Sequence, residues 1–129
     1  MKEKWIPITQ NYELKEMAIV TGKINGNQLD VTIGFPGWGL QSRTIAYMPL
    51  PKNINEDPTV WKSEYRGDDL PAKKGWFIVN LQGIFPHNQG KSKIDKALYL
   101  PDKGKWFSVP IGYEVVAWME FPKPYKARP

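Results

Sequence analysis

Two loops carry the residue types that could do chemistry. Residues 34–43 read Gly-Phe-Pro-Gly-Trp-Gly-Leu-Gln-Ser-Arg and combine three glycines with Trp38 and a closing Arg43. Residues 87–93 read His-Asn-Gln-Gly-Lys-Ser-Lys and combine Gly90 with His87, Lys91, Lys93 and two amide side chains. Glycine lets backbone N–H groups approach an anion, and Lys or Arg supplies the countercharge. Trp38, or Trp106 beside Lys105, can stack on a base. The pattern points to a small phosphate-bearing, nucleotide-like ligand bound by Trp38, Arg43, His87, Lys91, Lys93 and Trp106. The plainer alternative is a pair of turns with solvated charges, since neither loop is a Walker or dinucleotide fingerprint.

The inventory for catalysis is thin. His87 is the one histidine and has no partner acid supplied by sequence. The four serines lack a nucleophile-elbow context. With no cysteine, thiolate chemistry and disulfides are excluded, and a reducing cytosol is the simplest setting. The adjacent acids Glu56-Asp57 and Asp68-Asp69 read as solvated or capping groups rather than a metal site. The expectation is a non-catalytic protein with neither cofactor nor metal.

The chain has 129 residues, 41% of them apolar, enough for about one domain. Eleven glycines and twelve prolines favour turns over long helices. No apolar run approaches the roughly 20 residues that span a bilayer, and no signal peptide is expected. The net charge of +5 is uneven. Residues 1–54 carry net +2, residues 55–73 net −2 and residues 74–129 net +5. Two basic segments flank an acidic connector, which suggests an anionic partner or serves solubility alone.

One stretch occurs twice. Residues 44–54 (Thr-Ile-Ala-Tyr-Met-Pro-Leu-Pro-Lys-Asn-Ile) match residues 115–125 (Val-Val-Ala-Trp-Met-Glu-Phe-Pro-Lys-Pro-Tyr) at an offset of 71. The same offset carries Trp5 onto Trp76, Ile6 onto Phe77 and Ile8 onto Val79. This predicts an internal duplication of a small antiparallel β unit. The divisions are 1–54, a connector 55–73 and 74–129. Each repeat is too small for an independent core, so the two should share one about a pseudo-twofold axis, with both basic loops facing a common cleft. Uncovered sheet edges make a homo-oligomer an expectation.

The elements follow from pattern. Residues 17–21 and 29–35 are β-rich and flank Asn25-Gly26, the strongest hairpin signal in the chain. Residues 43–48, 76–81, 97–100, 105–109 and 114–119 read as further strands, the last two paired across Pro110-Ile111-Gly112. Pro7 confines residues 5–9 to an edge. Asn11 caps one helical turn over 11–17. Asp57-Pro58 starts a helix over about 58–66 that Gly67 ends, placing Trp61 and Tyr65 on one face. The class is mainly β with one or two short helices.

Trp5-Ile6-Pro7-Ile8 followed by apolar strands and Tyr47-Met48-Pro49-Leu50-Pro51 resembles a phage and prophage family catalogued as domain of unknown function 551. Val116-Ala117-Trp118-Met119 with Phe121-Pro122-Lys123-Pro124 is similar to the same closing motif, as if two tandem copies were present. Tyr47 stands where the family usually has Trp, and Glu120 where it has the first Pro. The resemblance implies a phage accessory protein acting in the bacterial cytoplasm. Three functions follow: sequestration of a nucleotide signal of host defence; inhibition of a host protein through exposed aromatics such as Trp61 and Tyr65; and weak nucleic-acid binding. The last lacks any Lys/Arg run longer than Lys73-Lys74.

Overall fold

The computed structural model describes residues 4–9, 11–25 and 28–126. Among them the chain is mainly β, with two four-stranded antiparallel sheets and only 3-10 turns as helical structure. It divides into two units, Met1–Leu50 with Pro122–Pro129, and Pro51–Phe121. The expected blocks are thus divided differently: residues 51–54 join the connector in the second unit, and the chain from Pro122 joins the first.

In the first unit, β1 (Ile6–Pro7), β2 (Ala18–Asn25), β3 (Gln28–Gly34) and β4 (Thr44–Pro49) lie in the order β1-β4-β2-β3. β2 and β3 form the expected hairpin, although Gly26 of the turn lies outside the described residues. Ala18 and Val20 share one face of β2 and pack with Leu14, Tyr12, Trp38 and Tyr47. Ile19 and Thr21 point the other way and are also buried, so the centre of β2 is covered on both faces. Pro7 cannot donate to a ladder, and β1 lies at the sheet's edge, as expected.

In the second unit, β5 (Gly75–Gly83), β6 (Ser92–Leu100), β7 (Lys105–Phe107) and β8 (Tyr113–Met119) lie in the order β7-β6-β5-β8. Phe77, Val79 and Leu81 alternate on one face of β5 and pack with Ala97, Tyr99 and Trp118. Burying an apolar side chain of this size contributes about 1.5–3 kcal/mol, which makes this cluster the unit's main anchor. Ile78 and Asn80 are buried on the opposite face.

Several expectations are corrected. No helix runs over 58–66. Two 3-10 turns, Pro58–Val60 and Glu64–Arg66, flank an extended Trp61-Lys62. Lys62 bridges Trp118 through paired backbone hydrogen bonds, and those bonds pull the segment out of helix. The expected caps do act: Asp57 accepts from Thr59 N, and Gly67 ends the second turn at φ 92°. Residues 11–17 form no helical turn, because Glu13 bridges Gly39 and Asn11 adopts φ 77°. β7 and β8 do not pair with each other. β7 adds to β6 and β8 to β5, where longer ladders are available.

The offset of 71 holds for the closing strands and fails for the opening tryptophans. Trp5 precedes a two-residue edge strand, whereas Trp76 lies in the nine-residue central strand β5. The residue of the second unit in the setting of Trp5 is Trp61. Ile6 pairs with Tyr47, and Lys62 bridges Trp118, its counterpart in the closing motif.

Candidate functional site

The expected site residues fall in both units. Trp38 and Arg43 belong to the first; His87, Lys91, Lys93 and Trp106 belong to the second.

In the first unit Trp38 is half-buried against the Leu14, Ala18 and Val20 cluster and meets Phe35 edge-on at 5.6 Å. Its ring therefore serves mainly to cover that cluster, with only part of its surface exposed. Arg43 caps the 3-10 turn Leu40–Ser42 in the left-handed region at φ 64°, with its side chain exposed. Beside this turn is a hollow of about 500 Å³ lined by Tyr12, Glu13, Gly37, Gly39 and Gln41 among others. The charge on its lining is the Glu13 carboxylate, which opposes a phosphate.

In the second unit the turn after β5 and the turn before β8 lie side by side at one end of the sheet. Asn88, buried, holds them together. Its Nδ2 donates to Gly112 O at 2.8 Å, and its Oδ1 accepts from Phe85 N at 2.9 Å. Gly83 N donates to Lys91 O and Ile84 N to Gly112 O, closing the loop against the strands. Any side chain at Gly83 would run into the Asn88 backbone, so the close approach requires glycine. Gly112 takes φ 89° under Phe85.

What this frame presents is a basic and apolar tip. His87, Lys91 and Lys93 are exposed. The Lys93 Nζ sits 4.6 Å from the centre of the Tyr113 ring, a cation–π contact that fixes its direction. His87 lies 5.7 Å from Phe85, ring centre to ring centre. Ile84, Phe85 and Ile111 are exposed beside them, Ile111 to 91%. Residues 83–93 and 108–113 contain no acid. Trp106 is not part of this tip. It packs 4.8 Å from Tyr99 and 6.0 Å from Phe77, in the core cluster.

The connector contributes differently from what its aromatics suggest. Trp61 is 1% exposed and donates from Nε1 to Lys52 O, while Tyr65 is 67% exposed. Only Tyr65 of that pair is available to a partner. Its hydroxyl is 3.3 Å from Glu114 Oε2, and slight desolvation of the hydroxyl together with that carboxylate raises its pKa, although most of the side chain is open to solvent. Asp68 is held below the usual carboxylate range by the Ser63 N–H and the Arg66 guanidinium. Asp68 therefore orders the second 3-10 turn, in line with a capping role.

No family model matches the chain, and no curated protein or solved structure does. Among the described residues no group of three acids or histidines could hold a metal ion. None of their helical segments is long and apolar enough to cross a membrane.

Asn80, Thr21 and Ser63, all buried polar residues, were not among the candidate residues, and Asn88 was read only as one of the amide side chains of its loop. Thr21 and Asn80 sit within β-rich runs, where a polar residue signals a dedicated hydrogen-bond partner; Ser63 and Asn88 sit at turns and carry no such signal.

Proposed function

We propose that the chain is a non-catalytic binding protein that docks on another protein through the tip of its second unit. The observation that carries this is the co-location of exposed Ile84, Phe85 and Ile111 with His87, Lys91 and Lys93 on two turns, 83–93 and 108–113, that contain no acid. Apolar side chains grouped on an exposed surface mark a docking site, and rim cations steer a partner of opposite charge. The partner is a protein surface with an apolar centre and carboxylates around it. Read with the motif resemblance, it is a host protein engaged by a phage accessory protein in the bacterial cytoplasm.

A second reading keeps a small phosphate-bearing ligand. It is favoured by Gly90 at φ 88° between His87 and Lys91, with Lys93 close behind. Trp38 and Trp106 no longer contribute to it, because both rings are packed. Weak nucleic-acid binding draws on the same cations.

The test combines capture from host lysate with variants. A captured protein should be lost with Ile111→Asp and with the Lys91→Glu/Lys93→Glu pair, and retained with Leu40→Asp on the first unit. Retention by both tip variants refutes the docking reading. Calorimetry against cyclic and linear nucleotides separates the second reading, which fails if none of them gives heat.

A further inference from the structure

Within each unit, a terminal or connecting segment is held in a matching way. In the first unit Ile19, Val20 and Thr21 of β2 pair with Met48, Tyr47 and Ala46 of β4, after which the register slips to Gly22 with Thr44. In the second, Ile78, Val79 and Asn80 of β5 pair with Met119, Trp118 and Ala117 of β8, and the register slips to Leu81 with Val115. The bulge thus falls at the same place in both, leaving Ile45 and Val116 unpaired with the central strand. Their carbonyls are taken by the opening segments: Ile45 O accepts from Ile8 N at 2.9 Å, and Val116 O from Ser63 Oγ at 2.7 Å.

The segments that follow the closing strands are exchanged. Residues 51–54 follow β4 but belong to the second unit, and residues 122–126 follow β8 but belong to the first. The anchors correspond atom for atom in role. Ile54 N donates to Asn80 Oδ1 at 2.7 Å, and Tyr125 N donates to Thr21 Oγ1 at 2.9 Å. Trp61 Nε1 donates to Lys52 O at 2.7 Å, and Trp5 Nε1 donates to Lys123 O at 3.1 Å. In both tails the lysine is exposed and the residues around it are partly buried. Thr21 and Asn80 occupy equivalent buried positions whose acceptors would be orphaned without a visiting tail.

We propose that the units are copies of one tail-binding module, and that the groove of Trp5 and Thr21 accepts residues 122–126 of a second copy of this chain as well as its own. The occupant is set by the groove: an extended, proline-containing segment with an outward lysine and an amide two residues beyond it. Of the two tails, 122–126 is the releasable one. Its indole bond is longer and exposed, whereas Trp61 is buried over Lys52. A second copy supplies the same bonds to the same groove, so exchange costs little beyond association.

The experiment mixes two variants of the 129-residue chain. Tyr125→Pro removes the tail amide and leaves the groove intact. Thr21→Val removes the groove acceptor and leaves the tail intact. Circular dichroism checks that each is folded. If Thr21→Val loses the fold, Trp5→Phe serves as the groove-defective chain. The equimolar mixture is expected to give a 1:1 heterodimer by sedimentation and native mass spectrometry. Neither variant alone should give it, and replacing Thr21→Val by Thr21→Ser, which restores the acceptor, should reduce it several-fold. A mixture that remains monomeric up to about 1 mM, the effective concentration of a short tether, overturns the proposal.

Discussion

Asn80 offers the sharpest perturbation. It is 1% exposed, and the two ends of its amide have different roles: Oδ1 accepts from Ile54 N at 2.7 Å, while Nδ2 donates to Ser92 Oγ at 2.8 Å with longer contacts to Leu81 O and Lys93 O. Asn80→Val and Asn80→Thr have nearly the same shape, and both lose all the bonds made by Nδ2. They differ in one atom, a methyl or a hydroxyl. Thr21 shows that a threonine hydroxyl can accept from a tail amide, as it does from Tyr125 N at 2.9 Å. The difference between the two variants therefore isolates the acceptor for Ile54 N. Leaving a buried donor unmet costs about 1–3 kcal/mol. Asn80→Val should be less stable than Asn80→Thr by that amount in urea unfolding. The Ile54 amide should exchange with solvent roughly 10–100-fold faster in the valine variant, a tenfold change for each 1.4 kcal/mol. Equal stabilities within about 0.5 kcal/mol, the size of a surface substitution, together with equal exchange at Ile54, would refute the reasoning.

Two further outcomes are expected. Trp61→Ala should cost about 3–5 kcal/mol in thermal or urea unfolding, because a fully buried ring and its bond to Lys52 O go together; a loss below about 1 kcal/mol would show that the site closes around the gap. Asp68 has a folded pKa below its unfolded value, so its contribution is full above the unfolded value of about 3.9 and fades as pH falls through the lower folded value. Asp68→Asn should therefore flatten the acid limb of the stability profile below about pH 4, and an unchanged limb in a pH titration of unfolding would count against it.

Much of the local structure was legible in the residues. Alternating β-branched and aromatic runs located β2 to β5 and β8 to within a few residues, because an apolar face of period two has only one way to be buried. Pro7 at an edge, Asp57 as a cap and Gly67 as a stop were legible for the same kind of reason: each fixes a backbone choice within a few residues of itself. The repeated closing motif also pointed to strands with like partners, and Tyr47 and Trp118 do occupy like ladder positions.

What tertiary structure alone decided is who pairs with whom. Asp57-Pro58 and the four-residue spacing of Trp61 and Tyr65 spell a helix locally, yet the backbone of β8 offers Lys62 two hydrogen bonds, and the segment extends instead. Trp76 looks like Trp5 in sequence because both open an apolar run. Strand order makes one central and the other peripheral, and that order depends on pairs separated by about 30–40 residues, such as Ile6 with Tyr47 and Val79 with Trp118. The same limit governs the candidate site. Gly, Lys and His in residues 83–93 announce an exposed loop, but the placement of Ile111 and Tyr113 beside it comes from a bond between Asn88 and Gly112. A side chain's chemistry is written in its own letter. Its neighbours are chosen by the distant strands that bring them there.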